Sequence, residues 1–221
     1  MNKGKLIVIE GLDGSGKATQ TAGVLRHLTE NRLDVKSVSF PDYDNPSSAL
    51  VKMYLDGSLG HTPGDVNPYA AASFYAVDRY ASYKQFWQRD YAAGKLILAD
   101  RYATSNAIYQ LAKLPQTQWD SFLEWIEDYE YNLLQLPRPD RVIFLDMPPS
   151  ISQHLMSQRY NGDEGKKDLH ESNVAYLQQC RQSALYSAQK LNWHIILCAE
   201  NNKPRNIDSI NNEIMEYLSD I

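Results

Sequence analysis

Cysteine is scarce: Cys180 and Cys198 are the only two in the chain. They form no metal-ligand spacing and no disulfide framework, so two buried free thiols in a reducing compartment are expected. Long apolar runs are missing as well. Nothing approaches the ~18 apolar residues of a membrane span, and the run at residues 6–9 stops at Glu10, too short for a signal peptide. The expectation is a cytoplasmic protein that engages no membrane. Basic residues do not dominate, with 22 Lys and Arg against 27 Asp and Glu and a net charge of −5. That balance argues against a nucleic-acid polymer as partner; an enzyme that binds phosphates needs only a few local cations. The N-K-x-D run of guanine-specific GTPases is absent, because Asn202-Lys203 is followed by Pro204-Arg205. No internal repeat or low-complexity linker interrupts the sequence, so residues 1–221 are expected to form a single domain.

What is present is a globular composition, 43% hydrophobic and 22% charged, arranged in alternation. Short apolar runs at 6–9, 35–40, 95–99, 141–145 and 193–198 read as strands, several of them apolar on both faces. Helical patterns occupy 17–30, 46–56, 67–93, 104–113, 117–135, 149–158, 171–191 and 205–219. The alternation predicts an α/β fold: a doubly wound, parallel, five-stranded sheet with helices on both faces and ligands at the carboxyl ends of the strands. Residues 159–170, "RYNGDEGKKDLH", are polar and glycine-interrupted between two helices. They read as a lid loop over a site or as a solvated connection.

The first strand runs into Gly11-Leu12-Asp13-Gly14-Ser15-Gly16-Lys17-Ala18-Thr19, and a helix follows. Strand, glycine-rich loop and helix are the context a phosphate-binding loop requires. The glycines let successive N–H groups face a phosphate, the helix N-terminus adds partial positive charge, and Lys17, expected on a solvent-facing loop, adds a full one. One residue is out of place. The hydroxyl that normally follows the lysine and binds Mg²⁺ is replaced by Ala18. Thr19 cannot substitute, because one step along a helix turns its side chain by about 100°. Mg²⁺ can instead rest on substrate phosphates and one carboxylate, with water in the space beside Ala18.

Asp100-Arg101 follows the strand at 95–99, where a carboxylate suits Mg²⁺ or its waters and an arginine can fork onto a phosphate; a surface ion pair is the alternative. Tyr75 and Arg79 are four residues apart in a helical stretch and share a face, so they could stack on a flat base and bond its edge. With 15 tyrosines in the chain, core packing is the competing reading.

Taken in order, "IEGLDGSGKATQ" at 9–20, "FPDYDNPSSALVKMYLDG" at 40–57, "FYAVDR" at 74–79, "ADRYATSNAIYQ" at 99–110, "FLDMPP" at 144–149 and "LNWHIILCAE" at 191–200 resemble the thymidylate kinases. These are P-loop nucleoside-monophosphate kinases that phosphorylate dTMP with ATP, and the resemblance covers almost the whole chain. It implies a homodimer with ATP and Mg²⁺ as cofactors and a lid closing over ATP. It places Asp13 near the acceptor sugar, Phe40 and Pro41 at the acceptor phosphate, Tyr75 on thymine and Arg79 at its O4. Arg101 would bind acceptor phosphate, Asp100 would serve the metal, and Ser105, Asn106 and Tyr109 would line the base and sugar pocket. Residues 11–19 and Arg159 would hold ATP.

The sequence also departs from the family. Asp42-Tyr43-Asp44 stands where an arginine is expected, and Gly14 stands where some members carry a catalytic arginine. The lid run is Asp168-Leu-His-Glu171 instead of D-R-x-E, which leaves Lys166 and Lys167, with Arg159, as the lid cations. Two rivals follow: a P-loop kinase for another nucleoside monophosphate or a deoxynucleoside, and a non-catalytic nucleotide-binding protein.

Overall fold

The computed structural model describes residues 3–159, 163, 170 and 173–221, with the side chains of residues 158 and 159 excepted. Five parallel strands, β1 (Leu6–Gly11), β2 (Val35–Ser39), β3 (Leu96–Asp100), β4 (Arg141–Asp146) and β5 (His194–Leu197), form one sheet in the order β2-β3-β1-β4-β5. The doubly wound sheet is as the alternation of runs predicts. A two-residue hairpin, β6 (Ala199–Glu200) with β7 (Lys203–Pro204), was not expected.

β1 is buried along its whole length because it lies mid-sheet between β3 and β4. Its alternate residues feed two separate cores. Leu6 and Val8 join Ile97, Ala99 and Phe144 on one face, together with Phe122, Leu177 and Trp193. Ile7 and Ile9 join Leu98, Ile143 and Leu145 on the other, together with Val24, Ile210 and Ile214. This explains the unbroken apolar runs: a strand covered by helices on both sides has no polar face. The edge strand β2 is only half-buried, and three of its five residues, Lys36, Ser37 and Ser39, are polar.

The helices among the described residues are α1 (Lys17–Glu30), α2 (Ala49–Leu55), α3 (Pro68–Ser82), α4 (Gln88–Ala92), α5 (Asn106–Tyr109), α6 (Trp119–Ile126), α7 (Pro149–Arg159), α8 (Val174–Lys190) and α9 (Ile207–Tyr217). Several expected helices are shorter or interrupted. The stretch 67–93 is split by a π turn at Tyr83–Trp87, and 117–135 passes from α6 into a π turn at Glu127–Leu133. The first interruption accompanies Trp87, fully buried among Tyr83, Tyr91 and Tyr102. Stretch 104–113 is a single helical turn between two 3₁₀ turns. α3 starts where its sequence dictates: the Asn67 side chain caps the N–H groups of Tyr69 and Ala70, and Pro68 occupies the first turn. Both cysteines are free and buried, and burial pushes the Cys198 thiol up to about 12.

Candidate active site

The carboxyl ends of β1 and β3 lie side by side, with Ile9 in register with Asp100. The loop after β1 turns on Gly14 (φ 75°) and Gly16 (φ 89°), both in the left-handed region that favours glycine. At Gly14 a side chain is also excluded by space: a Cβ would lie 2.8 Å from the Ser152 carbonyl and 2.9 Å from Met156 Cγ on α7. An arginine at this position has no room. Gly16 caps α1, so the helix N-terminus faces the mouth of the loop. Ala18 and Thr19 are exposed there.

Lys17 corrects one expectation. Its side chain is buried, and Nζ donates to the Leu12 carbonyl at 2.8 Å. The loop folds over its own lysine. Burial, with the Arg101 guanidinium nearby, lowers the ammonium to about 8 against the opposing pull of Asp13, Asp100 and Glu10.

Arg101 follows β3 with a positive φ of 66°. It forms an ion pair with Asp13, and its Nη1 donates to the Gly11 carbonyl at 3.2 Å and the Tyr109 hydroxyl at 3.3 Å. Tyr109 in turn donates to Asp13 Oδ2 at 2.8 Å. Burial alone would raise the Asp13 carboxyl, but Arg101, Lys17 and the Tyr109 hydroxyl bring it down to about 2. Below this group lies Glu10, fully buried, which accepts from Thr104 Oγ1 at 2.7 Å, Ser105 Oγ at 2.9 Å and the Tyr102 N–H at 3.1 Å. Burial raises its carboxyl, with Arg101 and these donors opposing. Glu10 ties the loop after β3 to the end of β1.

Beside this cluster one cleft is lined by Asp13, Phe40, Pro41, Tyr75, Arg79, Arg101, Ser105, Asn106 and Tyr109. All nine residues expected around the acceptor therefore face one space. Tyr43, Leu55, Tyr102, Gln110 and His170 complete the lining. Arg79 and Asn106 meet over Glu130, which is buried and was not singled out in the sequence. Trp119, Phe122, Leu123 and Ile126 mark the buried stripe of α6, but nothing in that stripe singles out Glu130, whose place depends on Arg79 and Asn106 from other elements.

Where the expected arginine is lacking, Asp42 donates its N–H to Asp78 Oδ2 at 2.8 Å, and Ser47 donates to Oδ1 at 2.6 Å. The acidic run is thus held against α3. Asp100, partly buried at the end of β3, makes no side-chain hydrogen bond among the described residues and lies within electrostatic reach of Lys17.

Of the expected lid at 159–170, Lys166 and Lys167 lie outside the described residues, as does the Arg159 side chain. His170 is described, and it sits in the cleft. Its ring stacks on Tyr109 at 5.3 Å, and Nε2 shares a 2.8 Å hydrogen bond with the Tyr54 hydroxyl. Burial lowers the imidazole to about 3, so the ring is neutral.

A parallel sheet with a glycine-rich loop at its central strand, opening onto a polar cleft, defines a P-loop nucleotide-binding α/β protein. The thymidylate kinase family model matches residues 9–210. A thymidylate kinase of Mycobacterium tuberculosis is 30% identical over 185 residues, covering 82% of this chain and 84% of that protein. One of Danio rerio is 24% identical over 219 residues, covering 99% and 92%. The solved thymidylate kinase of Candida albicans superposes with a TM-score of 0.68 at 23% identity, over 99% of this chain and 92% of that one. The chain belongs to the thymidylate kinase family, which makes it a phosphotransferase.

Proposed function

We propose that the chain transfers the γ-phosphoryl group of ATP to dTMP, giving dTDP, through the residues named above. The observation that carries this reading is the cleft that Asp13, Arg101 and Tyr109 line together with Tyr75, Arg79 and Asn106, beside the phosphate loop. The loop amides of residues 11–19 and Lys17 hold the ATP phosphates. Arg101 holds the acceptor phosphate, oriented by Asp13 and Tyr109, and Tyr75 stacks on the base. The acceptor is already an anion, so no side-chain base is needed; positioning and charge stabilisation do the work.

Mg²⁺ fits this site as an ion carried by the nucleotide. No three His, Cys, Asp or Glu side chains converge to hold a metal among the described residues, and Asp100 offers the one carboxylate that a hydrated, phosphate-borne Mg²⁺ uses. When bound, the ion neutralises charge on the transferring phosphates. Lid cations from Arg159, Lys166 and Lys167 would supply further positive charge. Exposed apolar residues on the packed helices α2 (Leu50, Met53) and α3 (Val77, Tyr80) support a homodimer. No helix among the described residues is long and apolar enough to cross a membrane. Two free buried thiols and nucleotide substrates support a cytoplasmic location. We read residues 1–221 as one kinase domain with its lid at 159–170.

An ADP-release assay with dTMP, dUMP, dCMP, AMP and thymidine tests the reading. Turnover greatest with dTMP is expected. A preference for thymidine over dTMP would move the assignment to a nucleoside kinase, and absence of turnover with every acceptor would mark a non-catalytic nucleotide binder.

A further inference from the structure

We infer that Glu130 decides which base edge the acceptor site accepts, by fixing the hydrogen-bonding face that Arg79 and Asn106 present; this rests on the reading that these two residues meet the base. Glu130 stands in the π turn after α6 with its side chain 1% exposed. Its carboxylate accepts from Arg79 Nε at 2.8 Å, Arg79 Nη2 at 2.5 Å and Asn106 Nδ2 at 2.9 Å. The other hydrogen on Asn106 Nδ2 goes to the Ala72 carbonyl at 3.3 Å. Both partners of Nδ2 are oxygens that only accept. Turned over, the amide would set its own oxygen against two oxygens, so its orientation is fixed by chemistry. What remains for the cleft is Asn106 Oδ1, an acceptor.

Arg79 uses two of its five N–H donors on Glu130 and lines the same cleft. The site therefore shows the rest of the Arg79 guanidinium as donor and Asn106 Oδ1 as acceptor, each in a fixed place. That pair matches a pyrimidine with a carbonyl at C4 and a proton on N3, as in thymine and uracil. Cytosine offers the reverse: its C4 amino group would face a guanidinium, and its bare N3 would face Oδ1. A site built on paired hydrogen bonds rejects such a mismatch far more strongly than a shape difference of one methyl group. Glu130 does not touch the base. It is a positioning residue that acts through its two neighbours.

The test compares kcat/KM for dTMP and dCMP in the wild type, E130Q and E130D, with thermal unfolding as the check on folding. In E130Q one carboxylate oxygen becomes an N–H donor. Both carboxylate oxygens hold Arg79, so that donor meets an Arg79 N–H in either orientation and the guanidinium loses its fixed place against the base, while the Ala72 carbonyl still holds the Asn106 amide. The dCMP-to-dTMP ratio of kcat/KM is expected to rise at least tenfold, mainly through a higher KM for dTMP, with the KM for ATP unchanged. E130D keeps the negative charge against Arg79 but draws the carboxylate back from Asn106, and a smaller rise in the same direction is expected; it decides the matter if E130Q does not fold. A folded variant that loses thermal stability yet keeps the wild-type ratio would overturn the inference, leaving Glu130 as a buried counter-ion. Wild-type enzyme that turns over dCMP within tenfold of dTMP would instead overturn the underlying assignment of Arg79 and Asn106 to the base, before any variant is made.

Discussion

Lys17 binds its own loop in this structure, which has a consequence for nucleotide binding. Its ammonium sits at about 8, and a bound polyphosphate raises it by supplying negative charge. A group with a higher pKa in the complex than in the free protein takes up a proton on binding. ATP affinity should be full below pH 8 and decline as the pH rises through 8 to 9. Calorimetry at pH 8.5 in buffers of different ionisation enthalpy should register that uptake, and an affinity flat from pH 7 to 9 would contradict the shift. Ala18 and Asp100 bear on the metal. With no hydroxyl at position 18, Asp100 is the residue whose loss should be felt. Asp100→Asn should lower kcat at least tenfold, equivalent to about 1.4 kcal/mol, and raise the Mg²⁺ needed for half-activity, while Ala18→Ser should change activity only a few-fold. A Mg²⁺ titration of both variants checks this. An inactive wild type rescued by Ala18→Ser would reverse the argument.

At the scale of elements, the phosphate loop and α7 are one unit. Gly14 brings the loop backbone against Ser152 and Met156, so a methyl group there meets a backbone carbonyl and strains a left-handed residue as well. Gly14→Ala should cost about 1–3 kcal/mol from overpacking, lowering Tm by several degrees, and should raise the KM for ATP. Gly16→Ala is the control: its φ is also positive, but nothing lies within 4 Å of the added Cβ, so only the smaller conformational cost is expected. Equal losses from the two substitutions, read by thermal unfolding, would show that the α7 contact is slack. The same close approach gives a reason for the missing arginine of the loop, which a reading by motif registers only as a departure. The π turns follow the same logic. Apolar periodicity marked 67–93 and 117–135 as helical, but Trp87 and Glu130 take buried places that depend on partners distant in sequence.

For the whole molecule, the central question is which surface is covered in solution. α2 and α3 pack on each other and frame the cleft, yet Leu50, Met53, Val77 and Tyr80 remain exposed. Sedimentation of the wild type should give a dimer, and Val77→Glu with Tyr80→Glu should give a monomer. A monomeric wild type would remove the dimer from the proposed function.

The roster of cleft residues came from the order of motifs shared with the thymidylate kinases, and the sequence by itself determined the strand–loop–helix at residues 6–30 and the parallel sheet. These are local or periodic properties: a glycine-rich turn needs its glycines, and a strand buried on both faces needs an unbroken apolar run. Tertiary structure alone decided the burial of Lys17, the Arg101–Asp13–Tyr109 group, the anchoring of the loop after β3 by Glu10, the seat of His170 against Tyr54 and Tyr109, and the grip of Glu130 on Arg79 and Asn106. Each of these pairs groups that lie on different elements or are masked by a loop's own folding. A buried charge is tolerated only where its partners converge, and that convergence is a property of the packed chain and of no single stretch of it.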